Sequence, residues 1–103
     1  MKPGSQDERC PVEAVSEIIG RKWVSLIIRD LANGSQRFGQ LEHSVRVSPR
    51  ILSMRLQELE TDGLVTRQVF AEVPPRTEYT LTDRGRLLLP LIDTMRLVGR
   101  NFI

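Results

Sequence analysis

Residues 37–63, RFGQLEHSVRVSPRILSMRLQELETDG, hold the pattern that decides the fold. In RFGQLEHSV, Phe38, Leu41 and Val45 fall on one side of a helix of about two turns, although Gly39 weakens its first turn. A sharp turn follows at Val45, Arg46 and Val47. Ser48-Pro49 is then the strongest helix start in the chain. The hydroxyl can accept from an unpaired first-turn amide, and the fixed φ of proline suits the first helical position. The helix so opened carries Leu52, Leu56 and Leu59 at i, i+4 and i+7 and ends at Gly63. Two short helices joined by about four residues, the second firmly capped, make a helix-turn-helix pattern.

Downstream, LVTRQVF (64–70) and TEYTL (77–81) read as strands rich in β-branched and aromatic residues, with AEVPPR (71–76) as the loop between them. A hairpin appended to a helix-turn-helix is a winged helix. Residues 82–103 return to helical spacing, with Thr82 as cap and Leu88, Leu91, Ile92, Met95, Val98 and Phe102 along one apolar face. Pro90 should bend this long helix or cost it a hydrogen bond.

Upstream, Pro11 suits the start of a helix whose stripe is Val12, Val15, Ile18 and Ile19 and which closes at Gly20. KWVSLIIRDLANG (22–34) reads as a core helix on Trp23, Ile27 and Leu31, with the Trp23 ring expected in the core and not at a ligand. The expected architecture is α+β: a winged helix-turn-helix with four helices, a β-hairpin wing and a long C-terminal helix. It occupies residues 10–103 as one domain, preceded by a polar, aperiodic, flexible arm at residues 1–9.

Composition narrows the function. The chain has 103 residues, 40% of them hydrophobic, enough for one small core. The net charge is only +2, but thirteen of the fifteen cations are arginine, whose planar fork suits phosphates and guanine edges. No apolar stretch reaches the roughly 18 residues of a membrane span, and no leader pattern is present, so a cytoplasmic location is expected. One cysteine, Cys10, and one histidine, His43, leave no set for a disulfide framework or zinc site, and no metal or cofactor is expected. Catalysis would need Cys10 or a serine to pair with His43, which lies in the first helix of the helix-turn-helix with no Gly-rich oxyanion turn nearby; an enzyme is not expected.

Charge distribution points to DNA. Residues 35–57 contain Arg37, Arg46, Arg50 and Arg55 against Glu42 alone, whereas residues 58–62 contain Glu58, Glu60 and Asp62 and no base. A helix dipole favours the opposite order. A helix whose N-terminal end enters the major groove accounts for it. Opposite the leucine stripe, Arg50, Ser53, Met54 and Gln57 form a face able to reach base edges and a thymine methyl. Arg37, Arg46, Ser48 and Pro49 flank it, and Arg76 is expected to project from the hairpin tip behind Pro74-Pro75, toward phosphate or the minor groove. The competing readings are solvated arginines on an ordinary surface and a rigid turn with an exposed Arg76.

These pieces, together with CPVEAVSEIIGRKWVSLIIRDL (10–31), SPRILSMRLQELETDGLV (48–65) and VPPRTEYTLTDRGR (73–86), closely resemble the HxlR family of winged-helix regulators over almost everything after residue 9. The resemblance implies a homodimer, formed by the first and last helices, that binds double-stranded DNA at an inverted-repeat operator. The interface expected from it comprises Val12, Val15, Leu88, Leu91, Ile92, Met95, Val98, Gly99 and Phe102. Leu87, Leu89 and Leu97 lie outside that stripe and exceed what so small a monomer needs to bury, which agrees. Cys10 matches the N-terminal cysteine of the family, a reactive thiol in some members; beside Arg9 at a helix start it is a candidate redox or electrophile sensor, with a structural capping residue as the alternative. A small-molecule effector between the dimer helices and the winged domain is a further option that no motif tests. The rival function is a winged-helix protein-interaction module without specific DNA binding.

Overall fold

The computed structural model describes residues 8–103, so residues 1–7 of the expected arm lie outside the described residues. Pro11 opens helix α1 (Pro11–Ile19), where the Cys10 amide donates to Glu13 Oε1 at 3.3 Å. Helix α2 (Val24–Leu31) starts one turn later, behind Trp23 in the left-handed region at φ 81. Four of its eight residues, Val24, Ile27, Ile28 and Leu31, are buried, and the Trp23 ring packs against this core from its edge. A two-residue strand, β1 (Gln36–Arg37), leads into α3 (Phe38–Val45).

Helix α3 buries Leu41 and Val45 and ends at Arg46, which takes a left-handed φ of 61. That conformation reverses the chain within three residues. Helix α4 (Pro49–Thr61) then begins with Ser48 Oγ accepting from the Ile51 amide at 3.3 Å, and it buries Leu52, Leu56 and Leu59. Its end is a Schellman cap: Gly63 at φ 74, its amide donating to the Glu60 carbonyl at 3.0 Å, and the Leu64 amide donating to the Leu59 carbonyl at 2.9 Å.

Strands β2 (Val65–Phe70) and β3 (Arg76–Leu81) pair antiparallel without a bulge, from Val65 opposite Leu81 to Phe70 opposite Arg76. β1 adds to the other edge of β3, with Gln36 opposite Tyr79, and the sheet order is β1-β3-β2. Two residues are too few to show alternation in a sequence, so this third strand has no local signature. It anchors the wing to the start of α3.

The expected single C-terminal helix is divided. A short α5 (Asp83–Arg86) is followed by Leu87 and Leu88 and then α6 (Leu89–Gly99), with a 3-10 turn at Arg100–Phe102. Pro90 is the reason: it lacks an amide proton and is accommodated in the first turn of a new helix. Across the break the Leu88 amide donates to the Gly85 carbonyl at 3.1 Å, a tighter i to i+3 bond.

The junction below α5 is crowded. Thr82 Oγ1 donates to the Gly63 carbonyl at 2.6 Å and accepts from the Gly85 amide at 3.0 Å, while the Thr82 amide donates to the Leu64 carbonyl at 3.0 Å. A Cβ on Gly85 would lie 2.1 Å from the Leu64 carbonyl oxygen, so this close approach requires glycine.

Of the residues expected at the interface, Leu88 and Ile92 are the most deeply buried within the single chain, although Leu88 also lines a groove between α1 and α6. Both are buried in the chain's own core, with Val24, Ile27, Leu56 and Tyr79 among its other members. Val12, Met95, Val98 and Phe102 are exposed, together with Leu87 and Leu97. Val15 and Leu91 are half-buried, as is Gly99, which has open space beside its α-carbon.

Candidate nucleic-acid interface

The cap at Ser48 and the leucine stripe together orient α4. Because Leu52, Leu56 and Leu59 are pinned inward, Pro49, Arg50, Ser53, Met54 and Gln57 are turned to solvent, and all five are exposed. The readout row expected from helical geometry is therefore on the surface. Ser48 is exposed at its head, and Arg46 precedes it on the turn. Arg37 is exposed where β1 meets α3, its amide donating to Gln40 Oε1 at 2.8 Å. Arg37, Arg46 and Arg50 form no ion pair with any described residue, which leaves three guanidinium groups available to an anion.

Two arginines behave otherwise. Arg55, one of the four arginines of residues 35–57, is turned back: its Nε donates to the Lys22 carbonyl at 2.9 Å and its Nη1 lies 3.1 Å from Glu58 Oε1. Arg76 does not project from the hairpin tip. It is the first residue of β3, its Nη1 is 2.8 Å from Glu72 and its Nε 3.1 Å from Glu78, and its guanidinium stacks 4.1 Å over the Phe70 ring. Stacking and paired carboxylates make Arg76 a brace across the base of the loop. The exposed tip is Val73-Pro74-Pro75 itself.

The acidic end of α4 has partners that the sequence did not disclose. Arg21 Nη2 reaches Asp62 Oδ2 at 2.7 Å and Arg21 Nη1 lies 3.5 Å from Glu58 Oε1. The reversed charge order along the helix is thus partly a packing requirement of the α1–α2 corner, besides leaving the basic end outward.

Beyond α4, an open apolar groove of about 600 Å³ runs between α1 and α6, lined by Pro11, Val12, Val15, Ile19, Leu91 and Met95 among others. Cys10 is exposed at the head of α1, next to this groove, and the Arg9 guanidinium pairs with Glu17. Among the described residues no group of three or more His, Cys, Asp or Glu is placed to hold a metal ion, and no helix is long and apolar enough to cross a membrane.

Comparisons with known proteins agree with this geometry. A family model described as HxlR-like helix-turn-helix matches residues 18–103. The chain is 47% identical over 90 residues to the HTH-type transcriptional regulator YvaP of Bacillus subtilis, spanning 85% of this chain and 83% of that protein. Among solved structures it is similar to the redox regulator HypR in its oxidized form, with a TM-score of 0.83 and 38% identity over 89% of this chain and 96% of that one. The reduced form of the transcriptional regulator YodB from B. subtilis superposes with a TM-score of 0.76 at 34% identity, covering 91% of this chain and 94% of the other.

Proposed function

The chain belongs to the HxlR family of winged helix-turn-helix transcriptional regulators, and on that premise we propose that it acts as a homodimer on an inverted-repeat operator. The observation that carries the reading is the outward row Arg50, Ser53, Met54 and Gln57 on α4, flanked by Arg37 and Arg46, which form no ion pair among the described residues. Arginine can bridge guanine O6 and N7, glutamine can pair with adenine, and a methionine side chain can meet a thymine methyl. Ser48 and Pro49 bring the head of α4 to the phosphates. The wing contributes through its tip, with Arg76 bracing the loop and reaching the backbone only if it exchanges Glu72 or Glu78 for phosphate.

A second copy is the occupant proposed for the α1–α6 groove. Val12 on α1 and Met95, Val98 and Phe102 along the C-terminal segment are exposed, as are Leu87 and Leu97, and burying a side chain of this size contributes about 1.5 to 3 kcal/mol. Leu91 and Val15, both half-buried, line the groove.

Selection from a random duplex library with the reduced protein tests the whole reading. An enriched inverted repeat with half-site centres about 34 Å apart is expected, bound with an affinity that falls steeply as salt rises. If no sequence is enriched even at low salt, the chain is a protein-interaction module and the operator reading is wrong.

Cys10 adds a redox reading, favoured by its exposure at the head of α1 and by likeness to a protein described as a redox regulator. With one cysteine per chain, a disulfide must join two chains or take up a separate small thiol: two thiols lose two protons and two electrons to an external oxidant such as diamide. Operator binding that diamide changes in the wild type and leaves unchanged in Cys10→Ser supports the sensor. Equal responses in both make Cys10 structural, and the effector is then sought among small molecules.

A further inference from the structure

The helix that bears the readout row is held from the side by a corner of the chain that takes no part in that row. The link from α1 to α2 turns through residues 20–23, with Trp23 left-handed, the Val24 amide donating to the Arg21 carbonyl at 3.2 Å and the Lys22 ammonium 4.9 Å over the Trp23 ring. The turn presents the Lys22 carbonyl outward, and Arg55 Nε donates to it at 2.9 Å. Arg55 Nη1 also meets Glu58 Oε1, the same oxygen that Arg21 Nη1 approaches, while Arg21 Nη2 holds Asp62. Positions 55, 58 and 62 are i, i+3 and i+7 on one side of α4, so successive turns of the helix are tied to a single corner. The Arg55 and Arg21 side chains are only 19% and 25% exposed, which shields these contacts from full solvent screening.

We propose that this corner is a latch, in which Arg55, together with Arg21, is a positioning residue that sets the angle of α4 against α1 without touching DNA. Its functional consequence rests on the operator reading above; its geometry does not. In a dimer joined through α1 and α6, the angle between α1 and α4 fixes how far apart the two readout rows stand, and those rows must meet successive major grooves. A guanidinium suits the task because one planar fork serves a carbonyl and a carboxylate at once, which a lysine ammonium on its flexible stem does not reproduce. The latch also accounts for why the acids of α4 sit at its far end: Glu58 and Asp62 are there for Arg21.

Arg55→Lys keeps the charge and removes the fork. For the folded variant, matched to wild type by circular dichroism, operator affinity is expected to fall at least tenfold, with an unchanged salt slope, unchanged binding to random DNA and a broadened tolerance for half-site spacing. Arg55→Gln should give the same loss, again at constant slope. A lysine variant with full affinity and sharp spacing preference, or a glutamine variant whose salt slope drops by about one, overturns the latch and makes Arg55 a phosphate contact. A second readout is independent of DNA: in the wild-type protein, solvent exchange of the Arg55 Nε proton, followed by NMR, should be slowed at least tenfold relative to that of the exposed Arg50. Equal exchange rates overturn the latch even if the operator is found. Slow exchange without any enriched DNA leaves the latch standing and removes the operator reading alone.

Discussion

Arg50 sits at the second position of α4, exposed and with no ion pair among the described residues, so on the proposed operator reading its truncation removes a DNA contact and little else. Arg50→Ala is expected to weaken operator binding by about 1 to 3 kcal/mol if it reads a base, and to weaken all DNA alike, with a shallower salt slope, if it holds phosphate. Fluorescence titration against operator and random duplexes separates the two. Ser48→Ala is different in kind: the lost Oγ acceptor for the Ile51 amide should lower folding stability by about 1 kcal/mol, seen as a shifted urea midpoint. Gly63, at φ 74, meets nothing closer than ordinary contact, so Gly63→Ala should cost only the left-handed backbone, about 1 kcal/mol in the same assay. At this scale Arg50, Ser53, Met54 and Gln57 were legible in the sequence, because an internal leucine stripe dictates which side chains face out. Arg55 and Arg76 were not. Arg55 is turned by a carbonyl 33 residues away, and Arg76 by the ring and carboxylates that strand pairing brings around it.

Among the elements, the junction of α4, β2 and α5 is the tightest. Gly85→Ala would drive a methyl group to 2.1 Å from the Leu64 carbonyl oxygen and 3.0 Å from Leu81 Cδ2. Backbone cannot yield as a flexible side chain does, so stability should fall by about 3 kcal/mol or more, measured by denaturant unfolding with native-like m-value as the check on two-state behaviour. A tolerated alanine would mean that α5 is free to lift off the sheet. Helix existence and caps were readable at this scale from Pro11, Ser48, Gly63 and Thr82. The strand β1 and the break at residues 87–88 were not, the first because it is two residues long, the second because a proline within an apolar run is compatible with either a bend or a new start.

For the whole molecule, the decisive feature is apolar surface on α1 and α6 that no described residue covers. Val98→Glu should make the protein monomeric in sedimentation experiments and reduce affinity for an inverted repeat at least tenfold, while a single half-site is still bound weakly at low salt. A dimer that survives this charge would move the subunit contact elsewhere. Leu88 and Ile92 are not suited to the same test, since each is in the core and its loss would unfold the chain before it separated subunits.

The sequence by itself determined the order of the first four helices and the hairpin, the winged helix-turn-helix class and the outward row of α4, because periodicity and caps act within a few residues of one another. Tertiary structure alone decided which arginines remain available, which leucines of the C-terminal segment belong to the monomer, and what holds α4 at its angle. Each of those is settled by partners brought from distant segments, Lys22 to Arg55, Arg21 to Asp62, Glu72 and Phe70 to Arg76, and a contact of that kind has no local spacing to betray it.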